Sequence, residues 1–232
     1  LDTRPGHAPG FVAALRSDVD RFFHLAALPT TCLTGNHDPD FSAHHHLELA
    51  NGGVFLTHGD ILFEDIVPWS QDARLARDLV AAELAKLSPA ERHDVASRLS
   101  AYRRAAFAIP QRHQSAPRGL QHLLGLAQET IWPPTRVFRI LRAWREVPSR
   151  VDRFLREHRP NARFFIMGHT HRLGALRTAG GIVVLNTGSF CPPGGGGVID
   201  LTPDSLSLRR VERSGAGFRL GRTLAEFSLA RP

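Results

Sequence analysis

The stretch Phe164-Phe165-Ile166-Met167-Gly168-His169-Thr170-His171 runs four apolar residues into a glycine and two histidines one residue apart. A short β-prone run bounded by glycine predicts a buried strand that ends in a tight polar loop. Three further stretches have the same form. Thr30 to Thr34 precede Gly35-Asn36-His37-Asp38, Val54 to Thr57 precede His58-Gly59-Asp60, and Ile182 to Leu185 precede Asn186-Thr187-Gly188-Ser189. In layered α/β proteins, reactive side chains gather at strand ends and in the loops beyond them, so four such ends are candidates for one shared site.

The texture differs elsewhere. Asp18 to Ala26 reads as the end of a helix ahead of the first predicted strand. From Trp69 to Pro160, apolar residues recur at helical spacing in Gln71 to Leu87, Pro89 to Ile109, Arg118 to Ile131 and Arg136 to His158. Ser88-Pro89 puts an N-cap residue before a proline suited to the first helical position. Pro110, Pro117, Pro133 and Pro134 punctuate the rest. The organisation predicted is a core of residues 1–68 and 160–232 interrupted by a helical insert over 69–159. After Ser189, the glycines at 194–197 lack the strand-to-helix setting of a phosphate loop and read as a flexible linker. Alternating strands are expected at Val198 to Leu201 and Ser205 to Val211.

Composition bounds the function classes. Of the 232 residues, 42% are hydrophobic, enough for a sizeable core and too many for a disordered chain. No apolar run approaches ~18 residues and the first residues lack a secretory apolar segment, so the expectation is a soluble, cytoplasmic protein. Cys32 and Cys191 form no metal-type pair and no disulfide framework. Net charge is +7, and Lys86 is the only lysine among 29 Lys and Arg. Arginine's planar fork suits phosphate, although a chain-wide bias toward arginine codons gives the same count.

The histidine motifs carry the chemistry. If the segment after Met167 is extended, His169 and His171 project to the same side and both imidazoles can face one metal centre. Imidazole, an amide oxygen and carboxylates together suit Mn, Fe or Zn better than Ca or Mg. Singly, each motif has a plain structural explanation: GNHD as a turn, His58 as a strand-end residue, and His169 with His171 as a surface turn. Their order, each after an apolar run, favours a common site. His44, His45 and His46 read as a solvated loop, and Asp60 as a turn residue bonded to a backbone amide. Asp65 and Trp69 open the insert. Asn186 and Ser189 are expected to close the turn behind the site, and Cys191 to serve packing.

GNHD, then a lone His, then GHTH and the LNTGS strand resemble the calcineurin-like metallophosphoesterases, whose pattern runs DxH, GDxxD, GNHD or GNHE, H, GHxH. The resemblance covers about residues 1–66 and 160–212. Its first two motifs are absent; Leu1-Asp2 reads as the last two residues of a GDxxD, and the lack of an initiator methionine accords with a gene product that extends upstream. The fold implied is an α/β architecture, a β-sandwich of two mixed sheets flanked by helices, with the insert as a cap. The activity implied is hydrolysis of a phosphoester or pyrophosphate by attack of a hydroxide bridging two divalent metal ions, Mn ahead of Fe or Zn. On this resemblance Asn36, His58 and His169 bind one metal and His171 the other. His37 sits over the phosphoryl group as charge stabiliser or proton donor, and Asp38 orients it.

The position and helical character of the insert, and the HGD turn, are similar to those of the UDP-2,3-diacylglucosamine hydrolases, which carry arginine where this chain has His37. That similarity implies a phosphorylated small molecule or nucleotide-lipid as substrate, with peripheral membrane contact through arginine-rich helices such as Arg136 to Arg156. Two alternatives stay open. A nuclease of the same superfamily accords with the arginine excess, but no aromatic-interleaved basic stretch suited to stacking bases is found. A non-enzymatic scaffold on the same fold accords with the absent DxH, but leaves four imidazoles without a purpose.

Overall fold

A computed structural model describes residues 9–26, 28–110, 134–190, 194–215 and 217–230. Asp2, Pro117, Pro133, Cys191 and the helix expected at 118–131 lie outside them. The described residues form five α-helices and eight strands in two sheets, a mixed α/β chain. Two compact units divide it: residues 1–45 with 63–142, and residues 46–62 with 143–232.

The first unit is helical. Helix α1 spans Pro9–Ala26, α2 Ala73–Ala85, α3 Pro89–His93 and α4 Val95–Phe107. The single helix expected from Pro89 to Ile109 is broken in two. Asp94 has an extended backbone, ends α3, and accepts the Ser97 amide at 2.8 Å to begin α4. A carboxylate that caps a helix competes with continuing the preceding one. The cap foreseen at Ser88 forms as a full capping box, with Glu91 closing back on the Ser88 amide. Helix α2 buries Ala76 and Val80, α4 buries Val95, Leu99 and Tyr102, and Arg104 Nε donates to Glu83 Oε2 across the pair at 2.7 Å.

The second unit holds both sheets. Strands β1 (His46–Leu49), β2 (Val54–Thr57), β3 (Phe164–Met167), β4 (Gly174–Arg177) and β5 (Val183–Asn186) form the larger, in the order β1-β2-β3-β5-β4. Strands β2, β3 and β5 are parallel, while β1 and β4 pair antiparallel at the edges. Strands β6 (Gly197–Leu201), β7 (Ser205–Ser214) and β8 (Gly217–Ser228) form the second sheet. The first sheet is mixed, as expected. The second is wholly antiparallel, because its strands follow one another through short turns and need no crossover.

Period-two alternation distributes the apolar side chains. Val54, Phe164, Ile166, Val183 and Leu185 face Leu206 and Leu208 of β7 and make the core between the sheets. Phe55 and Phe165 point the other way, against Phe154 of helix α5 (Pro134–His158), with ring centroids 5.5 and 6.0 Å from it. Both faces of the central strands are therefore covered, which is why they read as continuous apolar runs.

Three expectations differ. Residues 30–34 form no strand; the Thr34 amide instead bonds the His44 carbonyl at 3.0 Å, and β-prone residues without a partner strand do not make one. Strand β8 was not foreseen, being mostly exposed and interrupted by Gly221. Gly194 to Gly197 are not a loose linker. Gly195 O accepts from Ser189, Gly197 N donates to Thr187, and Gly196 O accepts from Val211, so the stretch stitches the two sheets together. A Cβ on Gly188 would lie 2.0 Å from Gly195 O, a packing that glycine alone permits. Among the described residues, no helix is long and apolar enough to cross a membrane.

Candidate metal-binding histidine pair

Parallel pairing of β2 and β3 sets Leu56 beside Ile166, and the ladder runs one step past both strands, where Gly168 N donates to His58 O at 3.0 Å. The residues leaving the two strands are thereby side by side. His58 Nε2 and His169 Nδ1 stand 3.2 Å apart, with ring centroids 5.1 Å apart and planes at 71°. Two imidazoles ligating one ion at ~2.0–2.1 Å with ordinary inter-ligand angles place their nitrogens about 2.9–3.4 Å apart. The spacing is that of two ligands on one divalent ion, and also that of a hydrogen bond between the two imidazoles. Among the described residues, no group of three or more His, Cys, Asp or Glu side chains is placed to hold a metal ion.

The GHTH segment is not extended. His169 and His171 both have a φ of 56°, a left-handed conformation that side chains adopt at a cost, and Thr170 N bonds back to Gly168 O at 2.6 Å. The extended backbone on which the same-side argument rested is therefore not present; His169 is 5% exposed and His171 is exposed.

Other groups hold the strained loop in place. Asn186 Nδ2 donates to Gly168 O at 2.7 Å and Thr170 Oγ1 at 2.8 Å, while its Oδ1 accepts the Gly188 amide. This is the turn-closing role expected of Asn186, extended to GHTH itself. Trp144 Nε1 of α5 donates to Thr170 O at 2.9 Å, and the Arg172 guanidinium lies over its ring at 5.4 Å. Sequence reading missed Trp144, and its only signal was a tryptophan within an arginine-rich helix. On the other strand, Gly59 has a φ of 108°, and a Cβ there would lie 2.8 Å from Met167 Cε. Asp60, completely buried, opens a single 3-10 turn over Asp60–Leu62.

Asn36, His37 and Asp38 belong to the first unit. Asn36 is buried, His37 exposed and Asp38 half-buried. Asp38 Oδ1 accepts the Gly35 amide at 2.7 Å, closing GNHD back on its first residue. His45 Nδ1 is 2.7 Å from Thr34 Oγ1, His44 is exposed and His46 opens β1, so the histidine run is part loop and part strand. Asp65 pairs with Arg77 at 3.2 Å.

No family model matches the chain, and no curated protein matches it. The solved structure of Vacuolar Protein Sorting 29 from Cryptosporidium parvum is similar over 35% of this chain at 20% identity, with a TM-score of 0.26. The chain spans 44% of the length of that protein.

Proposed function

We propose that the protein is a metal-dependent phosphoesterase acting on a phosphorylated small molecule or nucleotide-lipid. The observation that carries this reading is the His58–His169 pair, two imidazole nitrogens 3.2 Å apart on adjoining strand ends. In this reading His58 and His169 hold one divalent ion, Mn ahead of Fe or Zn as the motif resemblance implies; imidazole donors suit all three better than Ca or Mg. His171 serves a second ion. Bound there, divalent ions supply polarisation of phosphoryl oxygens and a water of lowered pKa.

The chain's own contribution is positioning and proton transfer. The strained loop, clamped by Asn186 and Trp144, keeps the His169 ring from turning away when unliganded. Asn36, His37 and Asp38 enter on the motif order of the sequence: Asn36 as an amide-oxygen ligand, His37 as donor of an imidazole proton to the leaving oxygen. Asp38, by folding the GNHD turn onto the Gly35 amide, fixes where that imidazole is carried.

The test is hydrolysis of p-nitrophenyl phosphate and bis(p-nitrophenyl) phosphate with and without Mn²⁺, in wild type and His37→Ala. Mn-dependent turnover that falls about 10²–10⁴-fold in the variant, with bound Mn unchanged, is the expected result for a lost general acid. Failure of wild type to hydrolyse either ester with Mn²⁺ present would sink the reading. Loss of metal in His37→Ala would overturn the role given to His37.

A further inference from the structure

The second unit also carries a groove at the opposite ends of the same strands. Phe164 and Val183, the first residues of β3 and β5, line it, whereas His169 lies two residues past the last residue of β3. Four residues at ~3.3 Å each separate the two places by more than 10 Å. The groove encloses about 610 Å³, within the ~300–1,000 Å³ usual for small-molecule sites. Its walls mix apolar side chains, Leu155, Ile182 and Phe227 among them, with polar surface and three cations: Arg156, Arg163 and Arg177.

Among the described residues, no Asp or Glu side chain lines this groove. Asp152 packs behind its Gly180 wall and is committed, accepting the Thr178 hydroxyl at 2.5 Å and the Gly180 amide at 3.0 Å. Two of the guanidinium groups are oriented by carbonyls. Arg163 donates to Leu229 O and Ala230 O and stacks over Phe164, and Arg177 Nη1 donates to Gly181 O at 2.9 Å. A guanidinium has five N–H donors, so each keeps others for a ligand. The chain-wide arginine excess explains three arginines near one another; what marks this place is that all three line one concavity, with Asp152 as a carboxylate behind its Gly180 wall. Three cations lining one concavity favour an anionic group there, by an amount that solvent screens at the exposed Arg156 and Arg177.

We propose that this groove binds a soluble phosphate-bearing small molecule, its anionic group held by Arg156, Arg163 and Arg177 and its body against the apolar wall. The site is separate from the histidine pair and does not rest on the phosphoesterase reading.

Titration calorimetry of the full chain with inorganic pyrophosphate, after metal removal with EDTA, tests it. Saturable binding is expected, weakened at least tenfold in Arg156→Gln/Arg177→Gln and unchanged in His58→Ala. Arg163 is left in place because it also ties down the end of β8, and thermal unfolding of the double variant checks its fold. If that variant fails to fold, the single charge reversal Arg156→Glu takes its place. Equal affinity in a folded groove variant, or no binding by wild type, would overturn the proposal. So would retention on phosphatidic acid vesicles without any affinity for pyrophosphate, which would make the surface a lipid contact.

Discussion

His58 Nε2 lies 3.2 Å from His169 Nδ1 because Gly168 N bonds His58 O and carries the β2–β3 ladder one residue past the strands. The spacing is a backbone property before it is a side-chain one. Changes that disturb the two strand exits should therefore act on the pair even when both histidines are intact.

Gly59→Ala is the sharpest such change. The residue has a φ of 108°, and the new methyl would meet Met167 Cε at 2.8 Å. Left-handed strain and overpacking each cost of order 1–3 kcal/mol. Urea unfolding should show a loss in that range, and Mn²⁺ affinity should fall with it. Wild-type stability in the variant would mean that the turn relaxes freely.

Asn186→Ala should loosen GHTH without touching either ring. It removes the amide that bonds Gly168 O and Thr170 Oγ1. Loss of groups that orient a ligand typically costs ~10–100-fold in metal affinity. Calorimetry with Mn²⁺ reads this directly, and unchanged affinity would show that the loop's own backbone is enough to hold His169.

The helical unit should carry a modest acid-labile contribution. Hydrogen bonds to Glu83 from Lys86 first and Arg104 second hold its carboxyl below the ordinary value of 4.5. A depressed folded-state pKa gives stability that is fully present above the unfolded value and is lost as pH falls through the folded one. The contribution is about 0.2–1 kcal/mol for so exposed a network. Glu83→Gln should lower stability at pH 7 and converge with wild type in the acid limb, as followed by urea midpoints. Parallel curves at all pH values would remove Glu83 from the account.

The two strand exits that carry the candidate pair were legible in the sequence, for a physical reason. Strands β2, β3 and β5 are buried on both faces, so Val54 to Thr57 and Phe164 to Met167 stand out as short β-prone runs that lead into glycine-containing turns. Their polar exits name His58 and His169 without further information. Strand β8 gave no such signal, since an exposed strand with arginines and a glycine resembles a loop. Thr30 to Thr34 gave a false one, because β-branched residues mark a strand only where a partner exists. The break at Asp94 depended on a side chain choosing to cap rather than to continue. The clamp on GHTH by Asn186 and Trp144 was beyond reach: its partners lie 18 and 26 residues away, and no spacing rule joins them.

The most direct measurement is bound Mn²⁺ per chain after reconstitution and desalting, in wild type, His58→Ala, His169→Ala and the double variant. The account predicts metal retained by wild type and lost on removing either histidine, with the double variant no worse than the singles. Metal held equally by all four would contradict it. The 3.2 Å contact would then be a hydrogen bond between neutral imidazoles, and not the two sides of an ion site.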